Sequence, residues 1–394
     1  MTTLKTSSKI ILLMASSLTV MSVSAISPAL PKIAEAFQDI PNAEFLVKLM
    51  LTVPSLIIAF VAPIAGAIID KGKRKALLIS SLTLYAIMGT AGFYLETLPS
   101  FIITRAFLGI AVAGIMTSAQ TLIADYYAGE ERNKMLGLQG TFISFGGVLF
   151  VALAGLLASL SWRYPFLLYG LALILAYPAF LWIHEPYHKQ GHAEELEKKS
   201  TAEHHANHFA RPLDIAGICL IVFSGMVVFY SIPTQLPFLL KLYGIDSPAK
   251  AGAVVSLATM AGGFASYAMP YLKRRLQFHS LGGLSFGLLS IGFLGLYLSQ
   301  SYSIILAFAL FAGSGIGLLM PSMRLWVITV AAPSLRGRSV GVLTSSLYLG
   351  QFLSPVIAQP IVASIGIISL YGIISGIAGL ISLIVFFTKS KTQQ

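Results

Sequence analysis

One arginine inside an apolar run is the first residue of this chain that could do chemistry. Arg105 sits within Ser100 to Gln120, a stretch long and apolar enough to cross a bilayer as a helix, which takes roughly 20 such residues. A helix-centre Arg costs about 2.5–3.5 kcal/mol on insertion scales, so it normally faces a wet cavity or a partner. Arg105 lies about two turns from the helix start, and two readings stand: a cation aimed at an internal path, or an anchor that snorkels to the interface. Gly109, Ala113 and Gly114 follow on nearby faces, and small residues let helix backbones approach closely. No Asp, Glu or His falls in the interior of the apolar spans. A path with one cation and no acid suits a negatively charged substrate, such as a carboxylate metabolite or metallophore. Protonation would then act on the substrate itself, or on Asp70, Asp125 or Glu44. Glu44 and Lys48 are one turn apart at the start of a span and read as a structural pair on one helix face.

The elements that must position these residues are membrane helices. Apolar residues make up 56% of the chain and charged ones only 10%, more apolar surface than a soluble fold can bury. The net charge of +11 comes from short basic clusters between apolar spans, which is an orientation signal and not a nucleic-acid patch. Twelve spans are expected, at residues 10–30, 45–69, 76–96, 101–124, 136–160, 164–183, 214–238, 249–270, 279–299, 302–325, 339–361 and 366–388. The first has features of a secretory signal, but its apolar run continues to Leu30-Pro31-Lys32 and reads as a retained helix. Loops alternate between basic-rich and basic-poor, which puts both termini in the cytoplasm. The lone Cys219 lies in a span, so no disulfide framework is possible.

A single long polar linker divides the spans six and six, giving units 1–184 and 213–394 around 185–212. It holds His188, His192, His204, His205 and His208, but the spacing fits no closed metal site, and a solvated linker is expected. The two halves are repeats. Adding 204 carries Gly109 to Gly313, Met116 to Met320, Ser118 to Ser322, Arg132 to Arg336, Gly137 to Gly341 and Gly146 to Gly350. Parallel six-helix repeats describe a transporter plan with the substrate path at their interface.

Several segments then resemble the major facilitator superfamily, and within it the twelve-helix drug and metabolite exporters. The loop Gly66-Ala-Ile-Ile-Asp70-Lys71-Gly72-Lys73-Arg74-Lys75 is similar to that family's basic loop after span two, with Lys73 where the second glycine is expected. Arg105 to Gly109 matches the family's R-x-x-x-G in span four, and Asp125 through Arg132 resembles its next loop. The span-five antiporter signature is incomplete: Gly137 and Gly146 fit, but Phe150-Val151 replaces Gly-Pro. The 204 offset puts Ser354-Pro355 at the corresponding place in span eleven, where a proline bend is expected.

The resemblance implies an all-α membrane protein whose twelve transmembrane helices form two pseudo-symmetric six-helix bundles. It implies that Asp70, with Gly66, Lys71 and Arg74, latches one side of the molecule, with Arg336 and Arg338 as partners. Spans one, four, seven and ten surround the path in this family, which nominates Arg105, Gln120, Met116, Tyr230, Gln235, Met320 and Arg324. Lipid-facing or packing roles are open for each of the last six, and Arg324 stands near a span end where it can snorkel. Pro233 and Pro237 are expected to bend span seven, echoing Leu30-Pro31 in span one.

No phosphate loop, carboxylate pair or nucleophile motif supports an enzyme, and no cofactor or metal is implied. The expected function is secondary active transport: proton-coupled export of a small organic compound, or, alternatively, proton symport of an organic anion. The expected partners are that substrate, protons and the lipid bilayer of the inner membrane, with the chain as a monomer and no nucleic acid.

Overall fold

The computed structural model describes residues 6–69, 73–185, 212–332 and 335–388, and nearly all of them are helical. Among these residues, ten helical runs are long and apolar enough to cross a membrane. One of them, Arg336–Phe387, is interrupted at Gly366, where φ is 85° and a side chain would be strained, so it makes two spans, 336–365 and 367–387. Arg74–Ala91, with eighteen residues, completes the expected twelve.

Broken helices occur at matching places in the two halves. Span one runs Thr6–Ser24, passes a 3-10 turn at Ser27–Ala29, and resumes as Leu30–Ala36. The expected end at Leu30-Pro31-Lys32 is therefore a restart. Pro31 lies in the first turn of the new helix, where a missing N–H costs nothing. Span seven breaks likewise at Tyr230, between Pro212–Phe229 and Ser231–Leu242, with Pro233 just after the break and Pro237 inside the second piece. Pro355, by contrast, does not break its helix: the non-helical residue in Arg336–Phe387 is Gly366. The remaining spans are Ala43–Ile69, Leu98–Tyr126, Gly129–Leu160, Tyr164–Gly170 with Leu171–Trp182, Pro248–Lys273, Phe278–Leu298 and Tyr302–Val330.

Packing repeats with the sequence offset. A Cβ on Gly109 would lie 2.7 Å from the carbonyl oxygen of Pro54, and one on Gly313 would overlap the carbonyl of Ala258. Both members of this contact differ by 204, so spans four and two cross as spans ten and eight do. One apolar core draws on residues 11–183 and a second on residues 218–378 together with Val151.

The halves meet unevenly along their length. At the end carrying the linker, Ser8 Oγ donates to the Trp182 carbonyl at 2.8 Å and Arg74 Nε pairs with Asp125 at 2.8 Å. The contacts between halves gather toward the opposite, far end. Spans five and eight cross there at Gly155 and Gly252, where an added Cβ would sit about 3 Å from the other backbone. Ser27 Oγ donates to the Pro233 carbonyl at 2.6 Å, Lys32 pairs with Asp246 at 3.3 Å, and Lys241 pairs with Glu35. Ser55 Oγ donates to Gln351 Oε1 at 2.7 Å and Ser345 Oγ to the Ala59 carbonyl at 3.0 Å, nearer the middle of spans two and eleven. Toward the linker end several glycines of these spans have open space beside them. Added Cβ atoms on Gly66, Gly137, Gly140, Gly217, Gly337 and Gly341 would meet nothing within 4 Å.

Candidate functional site

Arg105 has no exposed surface and is held inside the amino-terminal half. Its guanidinium lies 4.9 Å from the centre of the Phe166 ring and 4.8 Å from that of Tyr169, both from span six. Nη2 donates to the Gly89 carbonyl of span three at 3.4 Å, while Nε and Nη1 have no hydrogen-bond partner among the described residues. Desolvated cation–π contacts of about 2 kcal/mol each offset part of the cost of those unmatched donors, about 1–3 kcal/mol. The Tyr85 and Tyr169 rings stand 5.5 Å apart, and their hydroxyls donate to the carbonyls of Leu18 and Ser22 in span one at 2.6 and 3.1 Å. One cation thus gathers spans three, four and six, and two tyrosines tie them to span one. Snorkelling does not describe this side chain, and neither does exposure on the wall of an open cavity.

The other nominated residues divide into an interface group and outliers. Tyr230, at the break in span seven, packs against the cores of both halves. Met116 packs against the amino-terminal core and Met320 against the carboxy-terminal one. Tyr348 of span eleven reaches across to Met116, with Oη 3.4 Å from Sδ. Gln235 is fully buried, and neither its amide nitrogen nor its oxygen has a partner among the described residues. Gln120 is half-buried, and Arg324 is exposed on span ten, apart from this group. Arg105 does not join it either.

At the linker end, Asp70 and Lys71 lie outside the described residues, as does most of the His-rich linker. The described part of the basic loop is organised within one half. Arg74, nearly fully buried, pairs with Asp125, and the Glu185 carboxylate accepts from the N–H groups of Arg74 and Lys75 at 2.7 and 2.9 Å. Glu185 therefore caps span three from the end of span six, satisfying amide donors that a helix start leaves free. Burial and the nearby Glu131 carboxylate push the Tyr127 hydroxyl above its usual range. Arg132 and Arg336 are exposed, and Gly66 and Gly137 have open space beside them. Gly146 does pack: a Cβ there would meet Ser17 of span one at 2.6 Å, and on its repeat mate Gly350 the carbonyl of Phe223 in span seven at 2.6 Å. Pro355 is buried in span eleven, beside Ser354, whose Oγ donates to the Val227 carbonyl at 2.8 Å.

Sequence reasoning read Lys48 only as the local partner of Glu44. Its side chain is fully buried, 2.5 Å from Glu44 Oε1, and its ammonium lies 4.5 Å from the centre of the Phe238 ring in the other half. The pairing with Glu44 is the expected one; the ring from span seven gives it a role between the halves. An apolar face around a lone Lys, opposite an aromatic residue just past the span-seven prolines, was the available signal. Tyr85, Phe166 and Tyr169 were also missed, because aromatic residues in apolar spans are too common to single out.

Residues 12–299 match the Major Facilitator Superfamily. The chain is 25% identical over 356 residues to a bacillibactin exporter of Bacillus subtilis, covering 87% of this chain and 85% of the exporter. It is 25% identical over 354 residues to the class E tetracycline resistance protein of Escherichia coli, covering 86% and 83%. Its fold matches a crystal structure of a D-xylose-proton symporter with a TM-score of 0.76, at 16% identity and 98% coverage of both chains.

Proposed function

The chain belongs to the major facilitator superfamily, and on that premise we propose that it exports a small organic compound across the inner membrane in exchange for protons, by alternating access. It is a multi-pass membrane transporter of small molecules, not an enzyme. The observation that carries the reading is the one-sided meeting of the halves. Spans one and seven touch through their far-end pieces, two and eleven and five and eight from the far end to just past their middles, and glycines of these spans toward the linker end have open space beside them. The basic loops assign the linker end and both termini to the cytoplasm, so this form is closed outside and faces inward. Units 1–184 and 213–394 are the bodies that rock, in one monomer, with the linker 185–212 joining them. Tyr230, Tyr348, Met116 and Met320 supply an adaptable aromatic and thioether lining, suited to organic compounds. Gln120 and Gln235 border that path, and Arg324 stands apart from it on span ten. Arg105 acts from within its bundle, setting how spans three, four and six move together. Asp70 and Lys71 close the cytoplasmic side against span eleven in the outward-facing form.

Export is favoured by the relatives, an exporter and a resistance protein. Symport of an organic anion is the second reading, favoured by buried cations in the absence of acids within the spans. Everted vesicles with an acidic lumen separate the two, using tetracycline and bacillibactin as probes. Antiport export predicts that the probe accumulates in the lumen against its gradient. Loss of preloaded probe from the same vesicles would establish symport and overturn the export assignment.

A further inference from the structure

Lys48, Arg74 and Arg105 are buried among the described residues, and they differ in what they face. Arg74 pairs with Asp125, and Arg105 lies over the Phe166 and Tyr169 rings, all within the amino-terminal half. Lys48 meets the other half, through Phe238. An ammonium has three N–H donors, and Glu44 Oε1 takes one of them at 2.5 Å. Among the described residues no second acceptor is hydrogen-bonded to it, and the Phe238 ring covers its side toward span seven.

Two further polar groups at this end lack partners. Gln235 lies three residues before Phe238, on a neighbouring face of the same helical piece. It is fully buried, and neither its amide nitrogen nor its oxygen is matched among the described residues. Gln359 Oε1 of span eleven is likewise buried and unmatched. The repeat shows that the helical frame does not require these groups. The 204 offset carries Lys48 to Gly252 and Gly155 to Gln359, so two glycines that cross closely on spans five and eight correspond to a Lys and a Gln on spans two and eleven. The correspondence continues inward: Ser55 bonds Gln351, and on their mates Thr259 and Gly147 an added Cβ would lie 3.2 Å from the threonine methyl. Buried polar atoms are nearly always hydrogen-bonded, so unmatched ones gathered at this seam point to a partner that arrives in another form of the molecule.

We infer that Lys48 and Gln235 form an outer subsite for an oxyanion of the substrate, a carboxylate or an ionised phenol. As the far ends begin to part, Phe238 withdraws with its half and uncovers the ammonium. The anion's oxygens then take the free Lys48 N–H donors from one wall and the Gln235 amide N–H from the other, and charge-assisted bonds of this kind are the strong ones. Glu44, about half exposed, competes with the anion for the same ammonium and stays ionised throughout. The subsite rests on the alternating-access reading and adds to it the sign of the charge on the compound carried.

The test follows acetylation of Lys48 in the full chain in nanodiscs, with N-hydroxysuccinimidyl acetate as reagent and mass spectrometry as readout. The probes are fluorescein, an anion, and tetramethylrhodamine methyl ester, a cation built on the same ring system. Fluorescein slows modification of Lys48 about threefold or more, and the cation does not. Lys250, exposed at the same end, reacts equally in every sample. Glu44→Gln removes the competitor and lowers the fluorescein concentration for half-protection about threefold or more, while Gln235→Leu raises it by about the same factor. A merely structural Glu44–Lys48 pair predicts no protection by either dye, and that result overturns the subsite. Equal protection by both dyes, or a half-protection concentration that neither variant moves, overturns it as well. A Lys48 that reacts in no sample shows a far gate that never opens, and overturns alternating access and the subsite with it.

Discussion

Two aromatic pairs, one in each half, set an interior that holds a cation against one that does without it among the described residues. In the amino-terminal half the Tyr85 and Tyr169 rings lie 5.5 Å apart, tilted, with the Arg105 guanidinium over one of them. In the carboxy-terminal half Phe293 and Tyr371 lie 5.7 Å apart, stacked at 19°, with no cation beside them. The tyrosine hydroxyls do the same work: Tyr169 donates to the Ser22 carbonyl of span one, and Tyr371 to the Ser231 carbonyl of span seven at 3.2 Å. The 204 offset carries Arg105 to Ala309, which is fully buried. The same helical frame thus stands with or without the charge. Among the described residues every buried charged side chain, Lys48, Arg74 and Arg105, belongs to the amino-terminal half.

The strongest way to break this comparison is to move the cation. Ala309→Arg places a charge in the half that has no ring cage for it, and should cost about 3–5 kcal/mol, lowering the thermal midpoint in detergent sharply. An unchanged midpoint would mean that the two interiors are not different in kind. Arg105→Ala removes the cation instead. Transport should fall more than about tenfold for every substrate, while Arg105→Lys retains less than half, since it lacks the planar fork that lies over the rings. A loss confined to anionic substrates would instead place the guanidinium on the substrate path.

Smaller changes sharpen the shared frame. Gly109→Ala and Gly313→Ala should each destabilise by about 1–3 kcal/mol, because both press a methyl group onto a carbonyl of the crossing helix. If only one of the two is sensitive, the crossings are not equivalent. Tyr371→Phe should cost about 0.5–1.5 kcal/mol in stability with transport unchanged. Tyr169→Phe should cost a similar amount but also slow transport, because its hydroxyl ties the ring beside Arg105 to span one.

Much of this architecture was legible in the chain. Apolar length and loop charge gave twelve spans and the division into halves' worth of helices, and the six identities at one offset anticipated the matched crossings at Gly109 and Gly313. Prolines signalled the break in span seven but misplaced the end of span one, since Pro31 starts a helix as readily as it ends one. Pro355 keeps helical dihedrals, and Gly366 carries the break in that run. Which way a buried side chain points was the least legible feature. Arg105 was expected toward a path or an interface, and its direction was decided by Phe166, Tyr169 and Gly89, distant in sequence and unremarkable in composition. Lys48 looked like half of a local pair because its other partner, Phe238, comes from the other half.

The rocking of the two halves is tested most directly by spin-label distances at both ends of one molecule. One pair would sit at Gln38 and Lys250 at the far end, the other at Arg132 and Arg336 at the linker end. The account predicts that every condition that lengthens the first distance shortens the second. Two distances that grow together, or a linker-end distance that stays fixed while the far end opens, would contradict it.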